Sequence, residues 1–514
     1  MDPGGAAKDD EVVGMAGGAG LNLVGAAFSQ LAVAGIFMVL SHVLGADDLG
    51  IYAQAFAVLS LLSLLSLSGF QAGLTRFVAV YLVTGDRGAM RGTVRIGLAL
   101  TTVAAVILGI GLYLTSPWLA THVFDEPGLI DPLRYAAFTL PALTFMDAAL
   151  AGTKGFKTMK AYAFIGLLLE PAIRLGLTLV LVGWGLGLEG AMIALLVSKA
   201  TAAVASAVAL RRVMGAPASA PSYHVSALFR FSTVSWMAGL ATTGLIWADT
   251  LILGIYGSSE DVGLYNVATR LVVLATFVML PINSSFAPRI ADLYQRGEIG
   301  TLARSYGVAT SWILRLSLPA FVLLALFPDA LLSLFGGSAF VAGATVTVIL
   351  AAGKLVDATT GPCGLMLTMS GRPALAMIDN IGVLVANIAL NIWLIPRHGI
   401  LGSAVAWALS LALVNLTRLT QVWWTMRMVP FGAGVGKGVL AGSGAFAVGL
   451  AVQRTVPEPA SLVVGALAVG AVYVGLVAAL GVTTEDRLLL RALISRSTPA
   501  WARGRGVSAG SPSL

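Results

Sequence analysis

Residues Leu44–Ala79 read LGADDLGIYAQAFAVLSLLSLLSLSGFQAGLTRFVA. Asp47 and Asp48 open the stretch, and no further charge follows until Arg76. A helix needs roughly 20 apolar residues to cross the hydrocarbon core of a bilayer, and this run is longer. With acid at its head and one arginine near its foot, able to snorkel to the headgroups, the stretch reads as a membrane crossing with polar ends.

Outward from this stretch the chain keeps the same pattern. Of 514 residues, 58% are hydrophobic and 11% charged, with a mean hydropathy of +0.90. A soluble protein is about 25% charged. So few charges cannot cover a globule of this size, so most of the exterior faces lipid. Apolar runs follow one another from about Gly14 to Leu480 and predict an all-α integral membrane protein of about fourteen transmembrane helices. Lys8, Asp9, Asp10 and Glu11 make a poor signal-peptide start, so the first run is expected to be an uncleaved membrane helix.

One set of loops carries Arg87, Arg91, Lys154, Lys157, Lys160, Arg211, Arg212, Arg296, Arg304, Arg372, Arg427 and Lys437. The alternate loops carry Asp47, Asp48, Asp125, Glu126, Asp131, Glu260, Asp261 and Glu458. The basic set is expected in the cytoplasm, with both termini inside the plasma membrane. The net charge of +7 has this origin and does not point to nucleic acid.

The chain also repeats. Asp48-Leu49-Gly50-Ile51-Tyr52 recurs as Asp261-Val262-Gly263-Leu264-Tyr265, 213 positions on (52 to 265). Arg76 recurs as Arg289 at the same offset, and Gly187-Leu188-Glu189-Gly190 recurs as Gly399-Ile400-Leu401-Gly402 at 212. Two six-helix lobes related by a pseudo-two-fold axis along the membrane normal are therefore expected, with two extra helices after them. The expected division is a cytoplasmic N-terminus over 1–13, a first lobe over 14–210, and a cytoplasmic linker over 211–226. A second lobe over 227–425, helices 13 and 14 over 437–480 and a cytoplasmic tail over 481–514 complete it.

The Leu44–Ala79 stretch resembles the polysaccharide transport family. So do DTLILGIYGSSEDVGLYNVATR at 249–270, FAPRIADLY at 286–294 and LIPRHGILGSAVAWALS at 394–410. That family holds the O-antigen-type oligosaccharide flippases, within the superfamily of multidrug, oligosaccharidyl-lipid and polysaccharide exporters. The resemblance covers about residues 14–425. It implies a V-shaped two-lobed bundle like that of the multidrug exporters, and a polyprenyl-pyrophosphate-linked oligosaccharide as cargo.

Charges inside the spans are the candidate site, because each would cost ~2.5–3.5 kcal/mol if it faced lipid at mid-bilayer. Arg174, Lys199, Arg270, Arg315 and Lys354 are expected to make a cationic lumen for the pyrophosphate, since arginine and lysine are its natural partners. Asp249, Glu170 and Asp357 are expected as charge partners or coupling carboxylates. Spacing pairs Glu170 with Arg174 and Lys354 with Asp357; depth pairs Asp249 with Arg270, and Asp147 also lies in a span. Structural neutralisation competes evenly with a role in binding for Glu170–Arg174 and Lys354–Asp357, whereas Lys199 and Arg270, without a partner in the sequence pattern, are expected to serve function. Arg76 and Arg289 mark a possible cytoplasmic gate, although snorkelling explains either alone. Asn22, Gln30, Asn380, Asn387 and Asn391 offer hydrogen bonds to sugar or to other helices.

Other chemistries find little support. Cys363 is the single cysteine, and His42, His122, His224 and His398 are scattered, so no metal site is expected. Gly185-Leu-Gly187-Leu-Glu-Gly190 satisfies a nucleotide-binding pattern, but it lies in a turn between membrane spans with no strand before it. No Walker A sequence is present, and no cofactor is implied. The expected partners are a lipid-linked oligosaccharide, membrane lipid, H+ or Na+, and other polysaccharide-assembly membrane proteins. The competing readings are an ion-coupled drug antiporter, a lipid II flippase, and a membrane-bound polymerase or ligase. Helix 1 lacks the carboxylate of the first, and the polymerase would need a large catalytic outer loop where only His122 is found.

Overall fold

The computed structural model describes residues 3–215, 220–223, 225–457 and 460–480, the side chains of residues 3–21, 238 and 433 excepted. Glu458, His224, part of the 211–226 linker and the 481–514 tail lie outside the described residues. Every element among them is helical. The first half holds α1 (Pro3–Leu67), α2 (Phe70–Thr84), α3 (Arg87–Trp118), α4 (Ile130–Gly155), α5 (Glu170–Leu181) and α6 (Gly187–Met214). The second holds α7 (Val225–Tyr256), α8 (Ser259–Ala275), α9 (Met279–Gln295), α10 (Ile299–Leu326) and α11 (Pro328–Gly336). It continues through α12 (Ala344–Thr360), α13 (Cys363–Met369) and α14 (Pro373–Met426), and α15 (Ala433–Thr455) and α16 (Ala460–Ala479) follow.

Among the described residues, ten segments are long and apolar enough to cross a bilayer, or eleven when α8 and α9 count as one bent crossing. Three of the ten are hairpins. Asn22–Leu67, Tyr162–Met214 and Pro373–Met426 run 46, 53 and 54 residues, about twice what a ~30 Å core needs at 1.5 Å per residue. Each breaks at a glycine with positive φ: Gly45 at 78°, Gly185 at 87° and Gly399 at 55°. Only glycine takes that conformation cheaply. The arms then fold back side by side. Phe37 packs edge-on to Tyr52 at 6.2 Å, Lys199 pairs with Glu170 at 2.8 Å, and Gln421 donates to Asp379 at 2.8 Å. The expected count of fourteen takes each hairpin as two crossings.

Some expected spans are broken. The run over 50–84 is interrupted at Ser68 and Gly69, where φ is 45° and 74°. The run over 263–293 bends by 53° between α8 and α9; there Pro281 has no N–H for the carbonyl of Phe277. The run over 340–370 is cut at Gly361-Pro362. The first helix starts at Pro3, ahead of the expected Gly14.

The two halves meet along two close seams. At the acidic end, which carries Asp47, Glu126 and Glu260, the second arm of α1 crosses α8. A side-chain carbon on Gly50 would overlap the Ser259 carbonyl oxygen, and one on Gly263 would overlap that of Ala46. Gly50 and Gly263 are 213 positions apart, as are Ala46 and Ser259, so the contact is its own image under the repeat. Gln54 donates to Ser259 Oγ at 3.1 Å, which donates to Glu126 at 3.0 Å. Toward the basic end, which carries Arg87 and Arg296, α2 lies against α7. Gly69 and Gly73 press on Ser232, and Phe70 packs edge-on to Phe229 at 5.1 Å. On the opposite flank α9 makes no comparable seam with α1 among the described residues. A cavity of about 350 Å³ lies there, lined by Gln30, the α8–α9 bend, Lys354 and Asp357.

Candidate functional site

The acidic seam carries a basic, aromatic centre just below it. Tyr52, from the repeated motif, accepts a hydrogen bond from the Arg174 guanidinium of α5. Arg174 also lies 5.0 Å from the Phe56 ring and is 4% exposed. From the other half, the Arg270 guanidinium of α8 sits 4.5 Å from the Phe37 ring, and Phe37 meets Tyr52 edge-on at 6.2 Å. The two arginines thus converge from opposite halves on one aromatic group. Cation–π contacts stabilise each guanidinium without neutralising it, and the like charges repel across the seam.

The remaining expected cations divide. Lys199 is not a free lumen charge: it pairs with Glu170 at 2.8 Å inside the first half, is 8% exposed, and lies near Asp147. Glu170 therefore has Lys199 as its ion-pair partner, where spacing had pointed to Arg174. A buried carboxylate takes the partner that can reach it fully, and α6 lies directly against α5. Arg315 also leaves the expected lumen. Its Nε donates to the Gly434 carbonyl at 3.0 Å, while Tyr473 donates to the Arg315 carbonyl at 2.8 Å. It ties α10 to α15 and α16. Lys354 and Asp357 pair at 2.7 Å, as their spacing predicts, and line the inter-lobe cavity.

Asp249 does not face Arg270 in a pair. Its Oδ1 accepts from Asn387 Nδ2 at 3.0 Å and from Asn391 Nδ2 at 2.6 Å, and the buried Tyr265 hydroxyl lies beside it. Both asparagine Oδ1 atoms are buried without a hydrogen-bond partner. The site is a carboxylate with spare amide oxygens, all within the second half. Asn380 instead accepts from Arg418.

Arg76 is exposed and lies 4.4 Å from the Phe231 ring, on the α2–α7 seam. Arg289, its equivalent in the repeat, is exposed too. Among the described residues the two do not meet as a symmetric pair, and of the two Arg76 alone lies on a facing seam. Sequence reasoning missed Phe37, Phe56 and the hydroxyl of Tyr52 as parts of the centre. The signal was present in the repeated Gly-x-Tyr, whose tyrosines hold opposite charges in the two halves.

The bundle of duplicated halves shares its fold with solved lipid II and multidrug transporters. It aligns with the lipid II flippase MurJ in an inward closed conformation at a TM-score of 0.71 and 13% identity, covering 92% of this chain and 99% of that one. It aligns with an inward-facing multidrug resistance MATE family transporter at 0.63 and 14% identity, covering 84% and 96%. The chain belongs to the polysaccharide biosynthesis protein family, which it matches over residues 16–294, and it matches the MatE family over 235–393. Two curated relatives come from Haloferax volcanii. The probable flippase AglR is 30% identical over 284 residues, 52% of this chain and 57% of that protein. The probable low-salt glycan biosynthesis flippase Agl15 is 28% identical over 193 residues, 37% and 41%. The matches thus span about half the length of these relatives.

Proposed function

We propose that the protein is a flippase, carrying a polyprenyl-pyrophosphate-linked oligosaccharide, a precursor of cell-surface polysaccharide, across the cytoplasmic membrane. The observation that carries the reading is the convergence of Arg174 and Arg270 from the two halves on one aromatic group. A pyrophosphate brings two or more negative charges, and two guanidiniums can bind it bidentately where a lysine offers a point charge. The anion would also relieve the repulsion between the arginines, and so would draw the halves onto the cargo. The isoprenoid tail can stay in the bilayer on the flank where α9 leaves α1, beside the cavity lined by Lys354 and Asp357. The names of the Haloferax relatives and the exporter fold support the same activity.

The finer assignments belong to this reading. The basic loops and both termini lie in the cytoplasm. Fourteen helices divide as lobes over 14–210 and 227–425, with helices 13 and 14 over 437–480 following them. Asp249, with the spare oxygens of Asn387 and Asn391, takes the coupling H+ or Na+, since a hard cation prefers such oxygen donors. Membrane lipid surrounds the bundle, and other polysaccharide-assembly proteins hand over or receive the cargo.

The test uses vesicles holding the purified protein and a fluorescent lipid-linked oligosaccharide. Arg270→Ala should weaken cargo binding by ~1.5–3 kcal/mol, about one to two decades, and Arg270→Lys should recover part of it. Asp249→Asn should keep cargo binding while transport loses its dependence on the ion gradient. Undiminished transport by a normally folded Arg270→Ala protein would overturn the pyrophosphate assignment.

A further inference from the structure

A second cavity, of about 600 Å³, opens at the acidic end of the first half, outside the arginine centre. Its volume lies within the ~300–1,000 Å³ of small-molecule sites. The last turns of α3 and the first turns of α4 and α6 build it. Tyr113 and Phe138 meet edge-on at 5.6 Å and remain 40% and 63% exposed, so ring surface is left free. Arg134 lies over Tyr113 at 5.3 Å and is held by Asp131 at 3.1 Å. Tyr135 donates to Glu189 at 2.7 Å across the cavity.

The wall chemistry selects the ligand. Two carboxylates against one arginine leave the cavity negative, which repels a phosphate or an anionic headgroup. A purely lipid-facing wall would not hold an ion pair and a carboxylate–phenol hydrogen bond in one pocket. Planar carboxylates and a guanidinium bind hydroxyls through paired hydrogen bonds, and aromatic surface receives the apolar face of a pyranose ring. We propose that this cavity is a saccharide subsite for the neutral glycan of the lipid-linked cargo once it has reached the acidic end. The proposal rests on the flippase reading and divides the labour: the central arginines hold the pyrophosphate, the peripheral pocket holds sugar. The pocket also touches the seam. Gly128 lines it and donates to Glu126 Oε1 at 3.1 Å, while Glu126 Oε2 accepts from Ser259 of the other half at 3.0 Å. A sugar against Gly128 therefore presses on the loop that latches the halves together.

Saturation-transfer NMR on the full chain in nanodiscs, with a panel of neutral mono- and disaccharides, tests the assignment. Wild type should show transfer to at least one sugar. Phe138→Ala and Glu189→Gln should each weaken it roughly tenfold, the loss of one strong partner. Tyr135→Phe, which frees Glu189 without moving the backbone, should alter sugar preference while thermal stability holds. Transport of a lipid-linked oligosaccharide by wild type, run in parallel, reports on the flippase reading separately. Sugar binding unaffected by all three variants, or its absence in a wild type that transports, would overturn the subsite. So would saturation transfer from the protein to added zwitterionic lipid, lost in these three variants, with none to any sugar.

Discussion

At the scale of single residues, charge type alone does not say which cation faces the cargo. Lys199 and Glu170 show the difference. Their pairing at 2.8 Å with 8% and 5% exposure favours a structural role. Lys199→Met alone should leave Glu170 buried without its ion-pair partner, with Ser198 and the more distant Arg174 compensating part of the ~3–5 kcal/mol cost, so the thermal transition should fall and expression with it. Lys199→Met with Glu170→Gln should restore much of that stability, and cargo affinity should follow stability in both. A single variant that stays stable but loses cargo would show that Lys199 faces the passenger. The Lys354–Asp357 pair was legible from its i, i+3 spacing, because both partners lie on one helix. Glu170, Asp249 and Arg315 were not, because their partners sit on α6, α14 and α15, and one chain carries no record of which helix lies alongside. The repeat did hold one clue: Arg174 and Asn387 stand 213 positions apart, each near the tyrosine of its own half. The duplicated position is cationic in one half and serves a carboxylate in the other.

At the scale of elements, hydropathy located the apolar runs well, and glycine decided where they fold back or approach. The break at Gly45 lies beside Asp47 and Asp48 of the charge pattern, while Gly185 and Gly399 lie at the two copies of the repeated Gly-x-x-Gly turn. The bend between α8 and α9 was harder to see, since Pro281 lies in an apolar run and only backbone hydrogen bonding makes it a break. The contact of Gly50 with the Ser259 carbonyl and of Gly263 with that of Ala46 leaves no room for a side chain. Gly50→Leu or Gly263→Leu should hold the acidic seam open. Cysteines placed at Asp47 and Glu260 should then react faster with an impermeant reagent than in the glycine protein, with transport lost. Equal reactivity, with transport intact, would mean that the seam does not form during the cycle. Gly69 and Gly73 do the same for α2 against α7, but 213 positions on stand Ile282 and Phe286. Neither can allow the close backbone approach of a glycine, and among the described residues α9 makes no matching seam with α1.

At the scale of the molecule, the duplicated halves are not used symmetrically. A short bis-maleimide joining cysteines at Asp47 and Glu260, across the acidic seam, should stop transport. One joining cysteines at Phe77 and Phe231, whose rings lie 5.9 Å apart across α2 and α7, should leave most of it. Cys363 is 1% exposed, so the native thiol should not compete for the reagent. Equal inhibition by both links would show that the two flanks part together. If the α2–α7 flank holds, the bundle opens like a book on its spine. The passenger then enters and leaves at the fore-edge alone, and the protein acquires a front and a back within the plane of the membrane. On the flippase reading, whatever assembles the glycan is best placed at the front, and whatever anchors the protein, at the back, where it never stands in the traffic.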